Sequence, residues 1–315
     1  MIKITVDLFS GRPNPTWVMH DARAYDLLKE ISGKREIISK PESGYDGLGF
    51  RGITIETLQD ENDFKLPASF TIANGRSKDH KASVSIARAI VDQMTRYQKN
   101  TMEIHGITPV NKNIQKIIFG SIEQYMKDYK KIQDYIRIRK RFPPLASAIR
   151  VTVNDGECKA ACQYEESKFN PDFWNLDAYV RSNNNCYNYG RNWKTNTFAQ
   201  PGRHSGATAS TMSVSAVKTA AMNDGLVERC HCLPASEYPR RLMALFIAPG
   251  VDYHWYRKQK NGFWGHKPGG TAARNYDNSG VLITDPRTCN RGAGTSLNYT
   301  DFGGFFYAGK SVIIS

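Results

Sequence analysis

What the chain lacks narrows it first. Six cysteines in 315 residues are too few for a disulfide scaffold, so each thiol is read on its own chemistry. No run of about 18 apolar residues occurs, so no helical membrane span is expected. The N-terminus MIKITVDLFS has no basic-then-apolar leader, which predicts a soluble chain that is either cytoplasmic or exported by a leaderless route. Acidic excess is missing too: 43 Lys and Arg stand against 30 Asp and Glu, a formal charge of +13. That excludes an acidic solvating protein and directs attention to polyanions, either nucleic acids or anionic envelope polymers. There is no internal repeat and no phosphate loop. GLGFRG lacks the third glycine, the helix and the acidic residue of a dinucleotide site, and nothing matches G-x-x-x-x-G-K, so no cofactor is expected.

The charge that is present is spread along the chain. Residues 1 to 143 carry 24 basic and 17 acidic side chains, and the remainder 19 and 13, so there is no basic tail. The densest stretch, Lys127 to Arg141, reads as a solvated helix face. It and the aromatic-basic HWYRKQKNGFW are the elements that could meet nucleic acid. No nucleic-acid fold motif accompanies them, and nucleic acid is the weaker partner.

Periodicity gives an α+β chain. Ile2, Ile4, Val6 and Leu8 alternate with polar residues as a strand ending in SGRPNP, and Asp21 is placed to cap a helix through ARAYDLLKEI. GLGFRGITIETL and SFTIANG predict two more strands. Ser83 to Tyr97 and Lys112 to Ile138 predict helices, the second with Ile114, Ile117, Ile118, Ile122, Tyr125, Met126, Tyr129 and Ile132 on one face. Phe142-Pro143-Pro144 ends that helix, because proline lacks a donor and restricts the residue before it. The expected organisation is an N-terminal α+β accessory domain over 1–143 and a second domain over 144–315. In the second, Ala148 to Val153 reads as a short strand, Ser210 to Asp224 as an alanine-rich helix closed by Gly225, and Leu242 to Ile247 as a central strand. Asp252 to Lys258 follows as a strand, Asn261-Gly262 as a hairpin turn into Phe263 to His266, and the end as a strand pair near Phe305 to Tyr307 and Ser311 to Ile314.

Cys186 in RSNNNCYNYGRNW is the most informative thiol. A thiolate needs local positive potential, which the free N–H groups at a helix start supply, and three asparagines before the cysteine are good N-cap residues. A cysteine nucleophile also needs a base whose tautomer is fixed by a third group. His254 in DYHWYRKQ and His266 in FWGHKPG meet that need: a hairpin at Asn261-Gly262 sets position 254 roughly opposite 268 or 269, with His266 about two residues off register. Asp277 in RNYDNSG is the rival third member, against a plain turn role. Asp252 should share a strand face with His254. Cys158 and Cys162 with Cys230, His231 and Cys232 suit disulfides or free thiols better than zinc, whose ligand spacing they lack, so no metal is expected. Cys289 stands alone.

A cysteine at a helix start, a histidine on a strand and a polar residue on the next strand resemble the papain-like fold over about residues 175 to 270. The histidine spacing and the hairpin are similar to the Cys-His-His bacterial cell-wall endopeptidases and amidases of that superfamily. FSGRPNP, NNCYNY, TFAQPGR and DYHWYRK also resemble a family of uncharacterised bacterial proteins. The papain-like resemblance implies a helix-start cysteine packed on an antiparallel sheet, with Cys186 as nucleophile, His254 as base and His266 as the orienting residue. Asn185 and Gln200 become oxyanion candidates, and Tyr187, Trp255, Tyr256 and Trp264 become substrate-cleft candidates. The function it implies is hydrolysis of an amide bond, with peptidoglycan stem peptides or similar peptides as substrate and an anionic envelope surface as surroundings. The same chemistry would serve a toxin acting on a host protein as protease or deamidase, and a non-catalytic or nucleic-acid-binding basic protein is the other alternative. A reactive Cys186 should alkylate well below the ordinary thiol value of about 8.5.

Overall fold

Strand alternation at the N-terminus is realised as a sheet. The computed structural model describes residues 1–58, 63–99, 108–138, 162–292 and 297–315. Among the described residues, two compact units are found: those in 1–9 and 13–138 form the first, and those in 10–12, 162–292 and 297–315 the second. In the first unit β1 (Ile2–Asp7) lies between β2 (Thr16–Met19) and β3 (Gly52–Thr57), and β4 (Ser69–Ile72) pairs with β3, all antiparallel. Ile2, Ile4, Val6, Ile53, Ile55 and Ile72 are buried, each removing apolar surface from water. Helices α1 (Ala22–Ser32), α2 (His80–Gln93), α3 (Lys112–Lys127) and α4 (Tyr129–Ile138) complete it.

Several helix details differ from expectation. Asp21 precedes α1 but makes no side-chain cap, its carboxylate accepting from the Tyr97 hydroxyl instead. Helix α2 begins three residues early because Asp79 caps it, accepting from the Ala82 amide. The long predicted helix is two, parted at Asp128, and Met126 is exposed beside the buried stripe of Ile114, Ile118, Ile122 and Tyr125. The proline stop at 142–144, the strand at 148–153 and Cys158 lie outside the described residues.

The second unit holds the five-stranded antiparallel sheet, in the order β5 (Val227–Glu228), β9 (Asp301–Ala308), β6 (Arg241–Ala248), β7 (Asp252–Lys258), β8 (Trp264–His266). Strand β6 is central, as its apolar run predicts, and β7 has the predicted bounds. The hairpin ladder runs Lys258↔Trp264, Arg257↔Gly265 and Tyr256↔His266, the register expected from the turn. Residues 311–314 are not a strand: β9 pairs with β5 and β6, and Val312 and Ile314 serve as core side chains. Four short helices precede β5: α5 (Asp172–Asn175), α6 (Ala178–Ser182), α7 (Cys186–Arg191) and α8 (Val214–Asn223). Helix α8 starts later than predicted, because Ser213 caps it on the Ala216 amide.

Met243, Leu245, Ile247, Tyr253, Trp255 and Phe306 form one buried cluster with Cys186, Tyr187, Val217 and Ala221. Helix α7 therefore lies on the sheet face that carries the odd-numbered residues of β6 and β7. Gly190 permits the approach, since a Cβ there would stand 2.3 Å from Met243 Cε. Cys162 and Cys232 form a disulfide, and Cys230 is disulfide-bonded as well. Among the described residues, the Cys162, Cys230 and Cys232 sulfurs are thus engaged in sulfur–sulfur bonds rather than available as thiolates. Because Cys230 keeps its own disulfide two positions from Cys232, the Cys162→Ser/Cys232→Ser double variant should lose less stability than the ~4 kcal/mol that a lone bond spanning 70 residues would cost through unfolded-chain entropy. A lower denaturant midpoint, with an m-value that rises as the unlinked denatured chain expands, is the outcome expected from equilibrium unfolding.

Candidate functional site

Cys186 is the first residue of α7, and its seat is built by the asparagines before it. Asn185 is the N-cap: its Oδ1 accepts from the Tyr187 and Asn188 amides, and Asn188 returns the bond to the Asn185 amide, closing a capping box. Buried Lys267 donates to the carbonyls of Arg181, Asn184 and Gly269, fixing the chain that leads into the helix. The Cys186 sulfur is fully buried and lies 4.0 Å from the Tyr253 carbonyl. It also neighbours the Ser10 hydroxyl and the Trp255 backbone. Strand β8 pairs with β7 only at residues 256–258, so Tyr253 and Trp255 lie in the stretch of β7 that β8 does not reach. Burial pushes the thiol up, and Asp252 adds to the effect. Cys186 is therefore a neutral thiol here, whereas the helix start alone predicted a lowered value. Desolvation outweighs the N–H groups of so short a helix.

The two histidines do meet. His254 Nε2 is 2.7 Å from His266 Nδ1, His254 Nδ1 is 2.9 Å from Ser10 Oγ, and His266 Nε2 is 2.9 Å from the Tyr276 carbonyl. His254 alternates with Tyr253 and Trp255, and its ring stands against Tyr256, His266 and Tyr299 on the opposite face from Cys186. Both imidazole nitrogens of His254 are thus engaged, and the link to the sulfur runs through Ser10 rather than directly.

The far end of this chain sets its protons. A carbonyl oxygen can only accept, so Nε2 of His266 must carry a hydrogen at 2.9 Å from Tyr276 O. The Arg274 Nε–H makes a longer approach to the same nitrogen, at 3.2 Å. Burial, with the Arg274 charge second, holds the His266 pKa well below its ordinary value, so the ring keeps one proton. Its Nδ1 then accepts from His254 Nε2, which leaves a lone pair on His254 Nδ1 facing Ser10 Oγ, whose one proton also has the Tyr253 carbonyl at 2.9 Å as acceptor.

Residues 10–12 are held from every side. The Asp252 carboxylate accepts from the amides of Ser10 (2.6 Å), Gly11 (3.2 Å) and Arg12 (3.0 Å) and from the Tyr299 hydroxyl (2.6 Å). Gly269 donates to the Ser10 carbonyl, and Arg12 Nη1 donates to that of Val251. The Gly11 carbonyl accepts from Asn185 Nδ2 at 2.9 Å and Gln200 Nε2 at 2.8 Å. Tyr253 Oη stands 3.0 Å from both that oxygen and Gln200 Oε1, with one proton to give. The two oxyanion candidates therefore converge on one carbonyl oxygen. Gly11 must be glycine, because a Cβ would lie 2.4–2.6 Å from the Tyr253 ring.

Other predicted residues fall elsewhere. Asp277 accepts from the amides of Ser279, Val281 and Asn290, the turn role, while the carbonyl beside it serves His266. Tyr187, Trp255, Tyr256 and Trp264 are core side chains, all buried, and Tyr187 donates to Asp224. They line no open cleft in this structure. Cys289 is half-buried near Tyr256 and Arg291. Ser10 and Tyr299 were missed: SGRPNP reads as turn residues, and nothing local ties position 10 to position 254.

Among the described residues, no three His, Cys, Asp or Glu side chains group to hold a metal ion, and no helix is long and apolar enough to cross a membrane. Over 151 residues, 48% of its length, the chain is 43% identical to insoluble matrix shell protein 1 of Ruditapes philippinarum, of which 96% is covered. No family model matches the chain, and no solved structure matches it.

Two measurements check this geometry. Native protein at pH 8 should leave Cys186 unmodified by iodoacetamide on a timescale that fully labels it in denaturant, read by peptide mass. The neutral His266 should cost stability in acid: below about pH 6.5 the unfolded imidazole takes a proton that the folded one refuses. Stability should therefore fall as pH drops from 6.5 to 5, at up to about 1.4 kcal/mol per pH unit for this one group. In His266→Gln that fall should be shallower by this component, as denaturant midpoints across the window will report.

Proposed function

The chain belongs to the family of insoluble matrix shell protein 1, and from that premise we propose that it is a matrix-associated cysteine hydrolase of amide bonds. Its papain-like site would comprise Cys186, His254 and His266. One observation carries the reading: a hydrogen-bonded imidazole pair, His254 and His266, ends on Ser10 Oγ beside the Cys186 thiol, next to two amide donors converging on a carbonyl oxygen. In the reaction residues 10–12 give way to substrate, the thiol proton passes to His254 Nδ1 across the space that Ser10 vacates, and the thiolate attacks the carbonyl carbon. Asn185 and Gln200 hold the developing oxyanion. The imidazolium then gives its proton to the leaving amine, and water resolves the acyl-enzyme. His266 keeps Nδ1 of His254 free of hydrogen.

The disulfides fit an oxidising compartment, and the relative's name speaks of an insoluble shell matrix. Matrix peptides or peptidoglycan-like polymers are accordingly the proposed substrates, with a +13 chain drawn to anionic material. The fully buried, neutral thiol favours a second reading, a non-catalytic matrix component. Release of new amino termini from matrix and peptidoglycan stem peptides separates the two. Cys186→Ala and His254→Ala should each abolish release, and His266→Gln should lower it by about 10- to 100-fold. Release that survives Cys186→Ala defeats the hydrolase reading, and no release from the wild-type chain after displacement of residues 10–12 favours the matrix role.

A further inference from the structure

We infer that residues 10–12 occupy the acyl site as an intramolecular substrate mimic, and that the peptides this site accepts carry glycine at the carbonyl-bearing position. The inference rests on the hydrolase reading for its chemistry but on separate contacts for its geometry. The Gly11 carbonyl oxygen is the group on which Asn185 Nδ2 and Gln200 Nε2 converge, at 2.9 and 2.8 Å. A scissile carbonyl would need those same donors. The preceding side chain, Ser10, takes up His254 Nδ1 at 2.9 Å and donates to the Tyr253 carbonyl, the oxygen that also lies 4.0 Å from the sulfur, so the base is engaged away from the thiol while the segment stays.

The segment binds as a peptide would, mostly through its backbone: three amides on Asp252, the Ser10 carbonyl on the Gly269 amide, and the Gly11 carbonyl on side-chain donors. None of these contacts needs the segment to be covalently part of the chain, and a separate peptide could make each of them. Selectivity comes from the Tyr253 ring, which stands 2.4–2.6 Å from where any Cβ on residue 11 would be. The ring is buried and bonded through its hydroxyl, so it has little room to yield. Alanine and larger residues are excluded at this position.

The test is alkylation of Cys186 in the full chain. Gly11→Val forces the segment off the Tyr253 ring, and the Cys186 iodoacetamide rate at pH 8 should rise at least 10-fold over wild type. The peptide acetyl-Phe-Ser-Gly-Arg-Pro-amide, added in trans, should return that rate toward the wild-type value, and its Ser-Val-Arg counterpart should not. An unchanged rate in folded Gly11→Val, or equal protection by the two peptides, overturns the inference. Should Gly11→Val lose cooperative unfolding, the Ser10→Ala/Arg12→Ala variant replaces it. That variant keeps Gly11 but loses the Ser10 hydroxyl and the Val251 contact, and a rate below 3-fold over wild type counts against the inference. Labelling and protection report occupancy alone. Glycine-selective protection in a chain that releases no amino termini from matrix peptides once the segment is displaced therefore sinks the hydrolase reading and leaves the binding site standing.

Discussion

A single carboxylate holds the second unit's chemistry in place. Asp252 is fully buried and answers three consecutive backbone amides and one phenol. Charge-assisted bonds of this kind are about twice as strong as neutral ones, and an unpaired charge at this depth would be very costly. The carboxylate and the segment therefore stabilise each other: without residues 10–12 the charge loses most of its donors, and without the charge three amides are left wanting acceptors. Everything nearby takes its position from this lock. Ser10 meets His254, Gly11 meets Asn185 and Gln200, and the sulfur is sealed from water.

Much of the architecture could be read from local pattern. Period-2 alternation located β1, an unbroken apolar run located β6 at the sheet centre, and the Asn-Gly turn set the hairpin register that pairs His266 with Tyr256. Helix bounds were read less well, because capping by Asp79 and Ser213 and the break at Asp128 are decided by single side-chain bonds. The site was half legible. Two histidines twelve positions apart on paired strands can be inferred from turn chemistry, whereas a serine 244 positions from its histidine partner cannot. Burial also overturned a local expectation, since the helix-start potential that should activate Cys186 is outweighed by desolvation.

The net charge looks different once its location is known. Among the described residues, Arg51, Arg191, Arg240, Arg257, Lys267 and Arg274 are buried. Arg240 pairs with Glu165, while Arg51, Arg191, Arg257 and Lys267 donate to backbone carbonyls. Arg241, crowded by burial and by Arg257 and Arg191, is held down to about 10. Part of the positive excess is thus internal scaffolding that ties strands and loops together, and only the rest is offered to a polyanion. A count of basic residues overstates the field at the surface.

The close approach of Gly11 to the Tyr253 ring couples two positions 242 residues apart in sequence. Substitution at 253 by a smaller residue would open space that permits a side chain at 11, whereas a side chain at 11 is intolerable while the ring remains. Mutational paths through this pair therefore run in one order only: position 253 must shrink before position 11 can grow. The ring acts as a gate on the history of the segment as well as on its shape.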